Sequence, residues 1–336
     1  MFNLSSRRFY LICLAALSVV AFSSVILSPV VHAQAVVASH GPVGKIHEFQ
    51  IPTHHPQPTG ITRGPDGALW FTEWHGNKIG RITPTGSISE FPLPKSDSFP
   101  SGITTGPDGA LWFTENSSAI GRITTAGSIS EFPLPTPYSY PIGITTGPDG
   151  ALWFTEPGYS VNAIGRITTT GSISEFPLPT PDSYPTGITQ GPDGALWFTE
   201  NSAGQIGRIT TAGSITEFPL QDSSEPHDIT QGPDGALWFT ELYANQIGRI
   251  TMAGSVSEFP LPMSLSYPTG IAQGPDGALW FTEPGNNQIG RITTTGSITE
   301  FPLPTAKSTP YGIAQGPHGA LWFTERKNIG RISPGN

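Results

Sequence analysis

Apolar and polar positions alternate in short runs along this chain, and the runs return in the same order seven times. The best marked of them, Ala-Leu-Trp-Phe-Thr-Glu, places its tryptophan at Trp70, Trp112, Trp153, Trp197, Trp238, Trp280 and Trp322, at spacings of 42, 41, 44, 41, 42 and 42 residues. Four strand-like stretches fit each unit. In the fourth they are 187–190, 195–200, 206–210 and 214–220, with the turn Gly191-Pro192-Asp193-Gly194 after the first and Ala212-Gly213 before the last. Runs of β-branched and aromatic residues bounded by Gly, Pro and Asp are hairpin signatures. A repeat of about 42 residues with four antiparallel strands is one β-propeller blade. No segment sustains a helical period. The seventh unit ends after its third strand, and the segment 45–52, KIHEFQIP, mirrors the missing fourth. The expected fold is therefore all-β: a seven-bladed β-propeller of four-stranded blades, closed where the N-terminal strand completes the last blade.

Composition refines this picture. The 40 glycines and 35 prolines would suggest disorder in a chain without a period, but here they fall in the turns. Residues 1–33 read as a secretory signal peptide: Arg7 and Arg8, an apolar run from Phe9, and a small-residue cleavage site ending at Ala33. The propeller is then residues 34–336, and the protein is expected to be exported to the cell envelope or beyond, touching a membrane only if the signal stays uncleaved. The single cysteine, Cys13, lies in the signal, so the mature chain has no disulfide and no thiolate metal ligand. Loss of the two signal arginines moves the formal net charge from −9 to −11. Such a chain repels phosphate backbones, which excludes nucleic acid as a partner. A monomer is expected.

Candidate chemistry lies where the repeat is broken. In a four-stranded meander the GPDG turns share one face of the disc with the turns before the last strands, and the variable loops share the other. Ligands favour variable loops on a rigid scaffold, at the mouth of the central channel. At the start of the first, channel-lining strand the blades carry Thr59, Ser101, Ile142, Thr186, His227, Thr269 and Tyr311. Only His227 titrates near neutral pH. Glu225 precedes it by two residues, Asp228 replaces a glycine, and Glu241 ends the next strand of that blade. Glu225 and Glu241 are candidate ligands of a divalent cation, and His227 and Glu225 are candidate acid–base groups. Asp228, Thr186, Thr269 and Tyr311 are candidate contacts for a small-molecule or peptide ligand. The structural alternative makes His227 an ordinary rim histidine bound to a backbone carbonyl, and the glutamates repeated in all seven units part of the scaffold. A second grouping, His54, His55, Trp74 and His75, offers imidazoles on the same face, where they could bind a transition metal or stay solvated.

The repeated GPDGALWFTE, IGRIT and GSI(S/T)EFPLP segments, over residues 45–336, resemble the streptogramin B lyases (virginiamycin B lyases). The resemblance implies a seven-bladed propeller that uses Mg2+ to open the ester of a cyclic depsipeptide antibiotic by elimination. It also implies a Glu-Pro-His tripeptide, matched by Glu225-Pro226-His227, and a glutamate at the end of the following strand, matched by Glu241. Thr186 stands where the family's second histidine is expected, and the tripeptide lies in the fifth blade where the family has it in the last. The other readings are a non-enzymatic ligand- or protein-binding propeller of the envelope and a metal-dependent esterase or lactonase.

Overall fold

The computed structural model describes residues 44–158, 161–221 and 224–335. They belong to one compact unit, Ser39–Asn336. The proposed signal segment lies outside the described residues. Seven four-stranded antiparallel sheets form the unit, six in simple sequential order. In the seventh, Ile46–Gln50 pairs with Asn328–Ile332 as the outermost strand, so the ring is closed by the N-terminal strand. In each blade we call the strands A to D from the channel outwards. In the fifth they are Pro226–Gln231, Leu237–Glu241, Gln246–Ile250 and Val256–Pro260. No helix among the described residues is long and apolar enough to cross a membrane.

Strand B explains how the blades stack. Successive side chains point to opposite sheet faces. Trp70 of the first blade therefore packs with Leu111 and Phe113 of the second, and Trp322 of the last with Leu69 and Phe71 of the first. The strand-B threonine sends its hydroxyl across each blade boundary. Thr72 donates to the Ser101 carbonyl at 2.6 Å and Thr199 to the His227 carbonyl at 2.9 Å, and Thr324 closes the ring on Thr59 at 2.9 Å. Such buried donors must be satisfied, so this threonine recurs.

The GPDG turns form a second repeated device. Asp193 accepts from Trp197 Nε1 at 3.1 Å and from Arg208 Nε at 2.7 Å, and the guanidinium lies 5.9 Å from the indole centroid. Burial alone would raise the aspartate's pKa, but the hydrogen bonds from Arg208 and Trp197 hold it below its ordinary value. Six blades carry this clamp. In the seventh, His318 replaces the aspartate and Trp322 Nε1 has no hydrogen-bond partner. Arg331 donates instead to the Pro84 carbonyl at 3.1 Å.

Candidate functional site

On the face opposite these clamps, strand A enters the channel wall. The residue before its proline has a left-handed φ in every blade: Gln57, Phe99, Tyr140, Tyr184, Glu225, Tyr267 and Thr309, at 41° to 55°. Non-glycine residues pay for this conformation, and such positions cluster at binding sites. Four of the seven are aromatic. Glu225 is the single acid, partly buried, and its carbonyl accepts from Leu242 N at 3.2 Å.

Two residues on stands His227. Its carbonyl accepts the hydroxyls of Thr186 and Thr199, which ties the fourth blade to the fifth. Its ring faces the channel and meets Tyr311 of the seventh blade: the Tyr311 hydroxyl lies 3.2 Å from His227 Nε2, with the rings edge-on at 5.7 Å. Nδ1 is buried without a hydrogen-bond partner. Burial pushes the imidazole pKa down to about 4, and the nearby Thr269 backbone offsets a little of that. Burial, with the Asp228 charge adding to it, pushes Tyr311 up to about 12. Both side chains keep some surface toward the channel, 38% for Tyr311, while the blades pack around the rest of each ring. Protein in place of bulk water is what disfavours their charged forms. At neutral pH the pair is an uncharged imidazole facing a protonated phenol.

Asp228 occupies a column of glycines for which the structure gives a reason. At Gly102 a Cβ would lie 2.4 Å from the Ile142 carbonyl of the next blade, and Gly270 is as close to the Tyr311 carbonyl. Asp228 instead uses its carboxylate as a staple between blades, with Oδ1 accepting from Ile229 N at 2.9 Å and Oδ2 from Ile271 N at 3.0 Å. Burial raises its pKa to about 6, against the pull of those two amides.

The other candidates are placed differently. Glu241 is fully buried within its blade, beside Gly248, and accepts from Gln246 Nε2 at 3.0 Å. Burial lifts its pKa to about 7, as for Glu73, Glu115, Glu200, Glu283 and Glu325, and Glu156 reaches about 8. Its backbone pairs with Pro226, beside Glu225, but its carboxylate is in the same setting as its six counterparts. Thr186 lines the channel, Thr269 is buried beside it, and their hydroxyls serve the blade-to-blade network. The structure thus brings together His227, Asp228 and Tyr311, with Glu225 two residues before His227 in the turn that leads into strand A. Among the described residues no group of three His, Cys, Asp or Glu side chains is placed to hold a metal ion. Magnesium binds through free carboxylate oxygens. Both oxygens of Asp228 are taken by amides and Glu241 is sealed in its blade, so of the two expected ligands, Glu225 and Glu241, only the partly buried Glu225 is left to hold a magnesium ion.

The mouth above the pair is a cavity of about 620 Å3, lined among others by Trp74, Tyr184, Tyr311 and Arg326. The narrower channel below it, about 200 Å3, is lined by the strand-A residues, His227 and Asp228 among them. Tyr184 and Arg326 were missed by reading the sequence. The repeat columns two positions before His227, and just after the strand-B glutamate, carry the signal for them.

Fold and residues together define a seven-bladed propeller with a cluster of polar and titratable side chains where its channel opens on the variable face. The virginiamycin B lyase family model matches residues 32–180 and 158–336, and the chain belongs to that family. A streptogramin B lyase structure is 43% identical over 86% of this chain and 97% of its own, with a TM-score of 0.83. The virginiamycin B lyase of Staphylococcus aureus is 45% identical over 86% and 99%, with a TM-score of 0.82. A catalytically inactive histidine-to-alanine variant of the S. aureus enzyme, with quinupristin, is 44% identical over the same shares, with a TM-score of 0.82.

Proposed function

We propose that the protein is a carbon–oxygen lyase that opens the ester of a cyclic depsipeptide by elimination at the channel mouth. The observation that carries this reading is the contact of His227 Nε2 with the Tyr311 hydroxyl across the channel. A ligand seated over the pair, at the channel mouth, meets a base and a proton donor side by side. His227 Nε2 takes the proton from the carbon next to the carbonyl, those electrons form the carbon–carbon double bond, and the ester carbon–oxygen bond breaks. The departing carboxylate accepts a hydrogen bond from Tyr311, which supplies a protic partner where Thr186 offers none. The lowered His227 pKa keeps the imidazole uncharged and free to accept a proton over the neutral range, at the cost of basicity. Donors aimed at developing charge are the larger part of such catalysis. Glu225, in its left-handed turn two residues before His227, is assigned to ligand positioning. The family of the chain and the histidine dependence of its S. aureus relative support this reading. Export through the N-terminal segment and action as a monomer in the envelope remain part of the proposal.

The test is incubation of the purified mature protein with a type B streptogramin, with Mg2+ and then with EDTA, followed by mass spectrometry. A ring-opened product of unchanged mass supports elimination, and a gain of one water identifies an esterase instead. Absence of any product, with saturable binding retained, identifies a ligand-binding propeller. Activity lost in EDTA and restored by Mg2+ supports a metal-dependent reaction with Glu225 as the candidate ligand.

A further inference from the structure

Outside the channel, one arc of the variable face carries a charge pattern found nowhere else on the described molecule. The blade arginines that form clamps are matched to aspartates, and Lys78 and Lys95 pair with Glu90 and Glu131 at 2.8 Å each. Arg326 and Lys327, neighbours in the short loop after strand B of the last blade, pair with no carboxylate among the described residues and are exposed. The backbone brings three histidines to them. Ile51 N donates to the Lys327 carbonyl at 3.0 Å, just ahead of His54 and His55, and Gly76 N donates to the Pro56 carbonyl at 3.2 Å, which sets His75 on the other side. The His54 and His55 rings meet edge-on at 4.1 Å, and all three imidazoles are exposed. Arg326 N donates to the Ser308 carbonyl at 2.7 Å, beside exposed Lys307.

The acids nearest these loops are engaged elsewhere: Glu325 and Glu73 are buried within their blades, Asn328 donates to Glu325 at 3.2 Å, and Glu90 accepts from Thr53 and Lys78. The mutual repulsion is visible at His55, whose pKa is lowered first by His54, then by slight burial, and then by Lys327, Arg326 and His75. Like charges gathered without counter-charge, on a chain of net charge −9, cost stability unless something outside the chain relieves them. Arg326 also lines the mouth cavity, so the arc and the channel open on one space.

We propose that Arg326 and Lys327, with His54, His55 and His75, form an oxyanion-binding site at the edge of the mouth, for a carboxylate or phosphate group on a ligand. Planar guanidinium forks favour both anions, and charge-assisted hydrogen bonds are the stronger kind. The site does not depend on the elimination reading. A protein that opens no ester would still bind the anion.

The test is isothermal titration of the full chain at pH 6 with inorganic phosphate and, separately, with acetate. Saturable binding of either anion is expected, weakened at least about tenfold in the double variant Arg326→Ala, Lys327→Ala. His55→Gln, which keeps the loop's shape, should weaken it less. Neither variant should melt more than slightly below the wild type, since these side chains are exposed. Saturation by phosphate alone assigns a phosphorylated ligand, and saturation by both admits a carboxylate. No saturation by either anion, or equal affinity in the double variant, overturns the site.

Discussion

The two faces of the disc are made from the same seven repeats and solve different problems. On the GPDG face six blades repeat one clamp, an aspartate between an indole and a guanidinium, with hydrogen bonds that agree to about 0.1 Å. On the channel-mouth face the corresponding positions have diverged: Glu225, His227 and Asp228 interrupt a column of aromatics, small polar residues and glycines in one blade only. The difference teaches how a repeat protein separates stability from chemistry. A scaffold role is needed by every blade and keeps one solution. A ligand site needs to exist once, and the symmetry of the ring leaves the other six blades free to differ.

Substitutions can test that division, beginning with the largest expected effect. His227→Ala should lower ester elimination by about 10²–10⁴-fold, the usual contribution of a positioned base, while the unfolding midpoint moves little. An active variant would return His227 to the scaffold. Tyr311→Phe keeps the ring and loses the hydroxyl. A fall in kcat of about 10²-fold with KM nearly unchanged is expected from loss of a hydrogen bond made to the departing group. Asp193→Ala on the opposite face should do the reverse: chemical denaturation should show a loss of about 1–3 kcal/mol, because a buried indole N–H and an arginine lose their acceptor, with turnover unaffected.

The pH dependence follows from the buried strand-B glutamates. Their folded-state pKa values are raised from 4.5 to about 7, and to about 8 at Glu156, so the folded protein binds more protons than the unfolded chain between those limits. Stability from this source is complete below about pH 4.5 and is lost as pH rises through 7. The single His227, lowered from 6.5 to about 4, acts in the opposite sense. The melting temperature should therefore fall from pH 5 to pH 8, and Glu156→Gln should flatten that slope. A melting temperature that climbs over this range would contradict the burial of these carboxylates. The smallest effect is expected from His318→Asp, which offers Trp322 Nε1 the acceptor found in the other six blades. Calorimetry should register a gain of about 0.5–1.5 kcal/mol, the net worth of one hydrogen bond.

Much of the scaffold was legible in the sequence because its causes are local. Period, strand alternation and turn residues act within one unit of chain, and the unpaired last unit with a matching N-terminal strand implied closure. The candidate site was legible at Glu225, His227 and Asp228 as departures from sibling copies. Glu241 was not, because repetition shows that a carboxylate recurs but not that it turns inward, beside Gly248 and toward Gln246. Asp228 could be seen to replace a glycine, while its use as a staple to Ile271 depends on the gap between two blades.

The sequence by itself determined the number of blades, the way the ring closes and which face carries the irregular loops, since each follows from short-range pattern and chain order. Tertiary structure alone decided the partners across the ring. His227 and Tyr311 are 84 residues apart, and Lys327 and Ile51 lie at opposite ends of the propeller chain. Only closure brings them into contact, because distance across a closed ring is set by its curvature and not by separation along the chain.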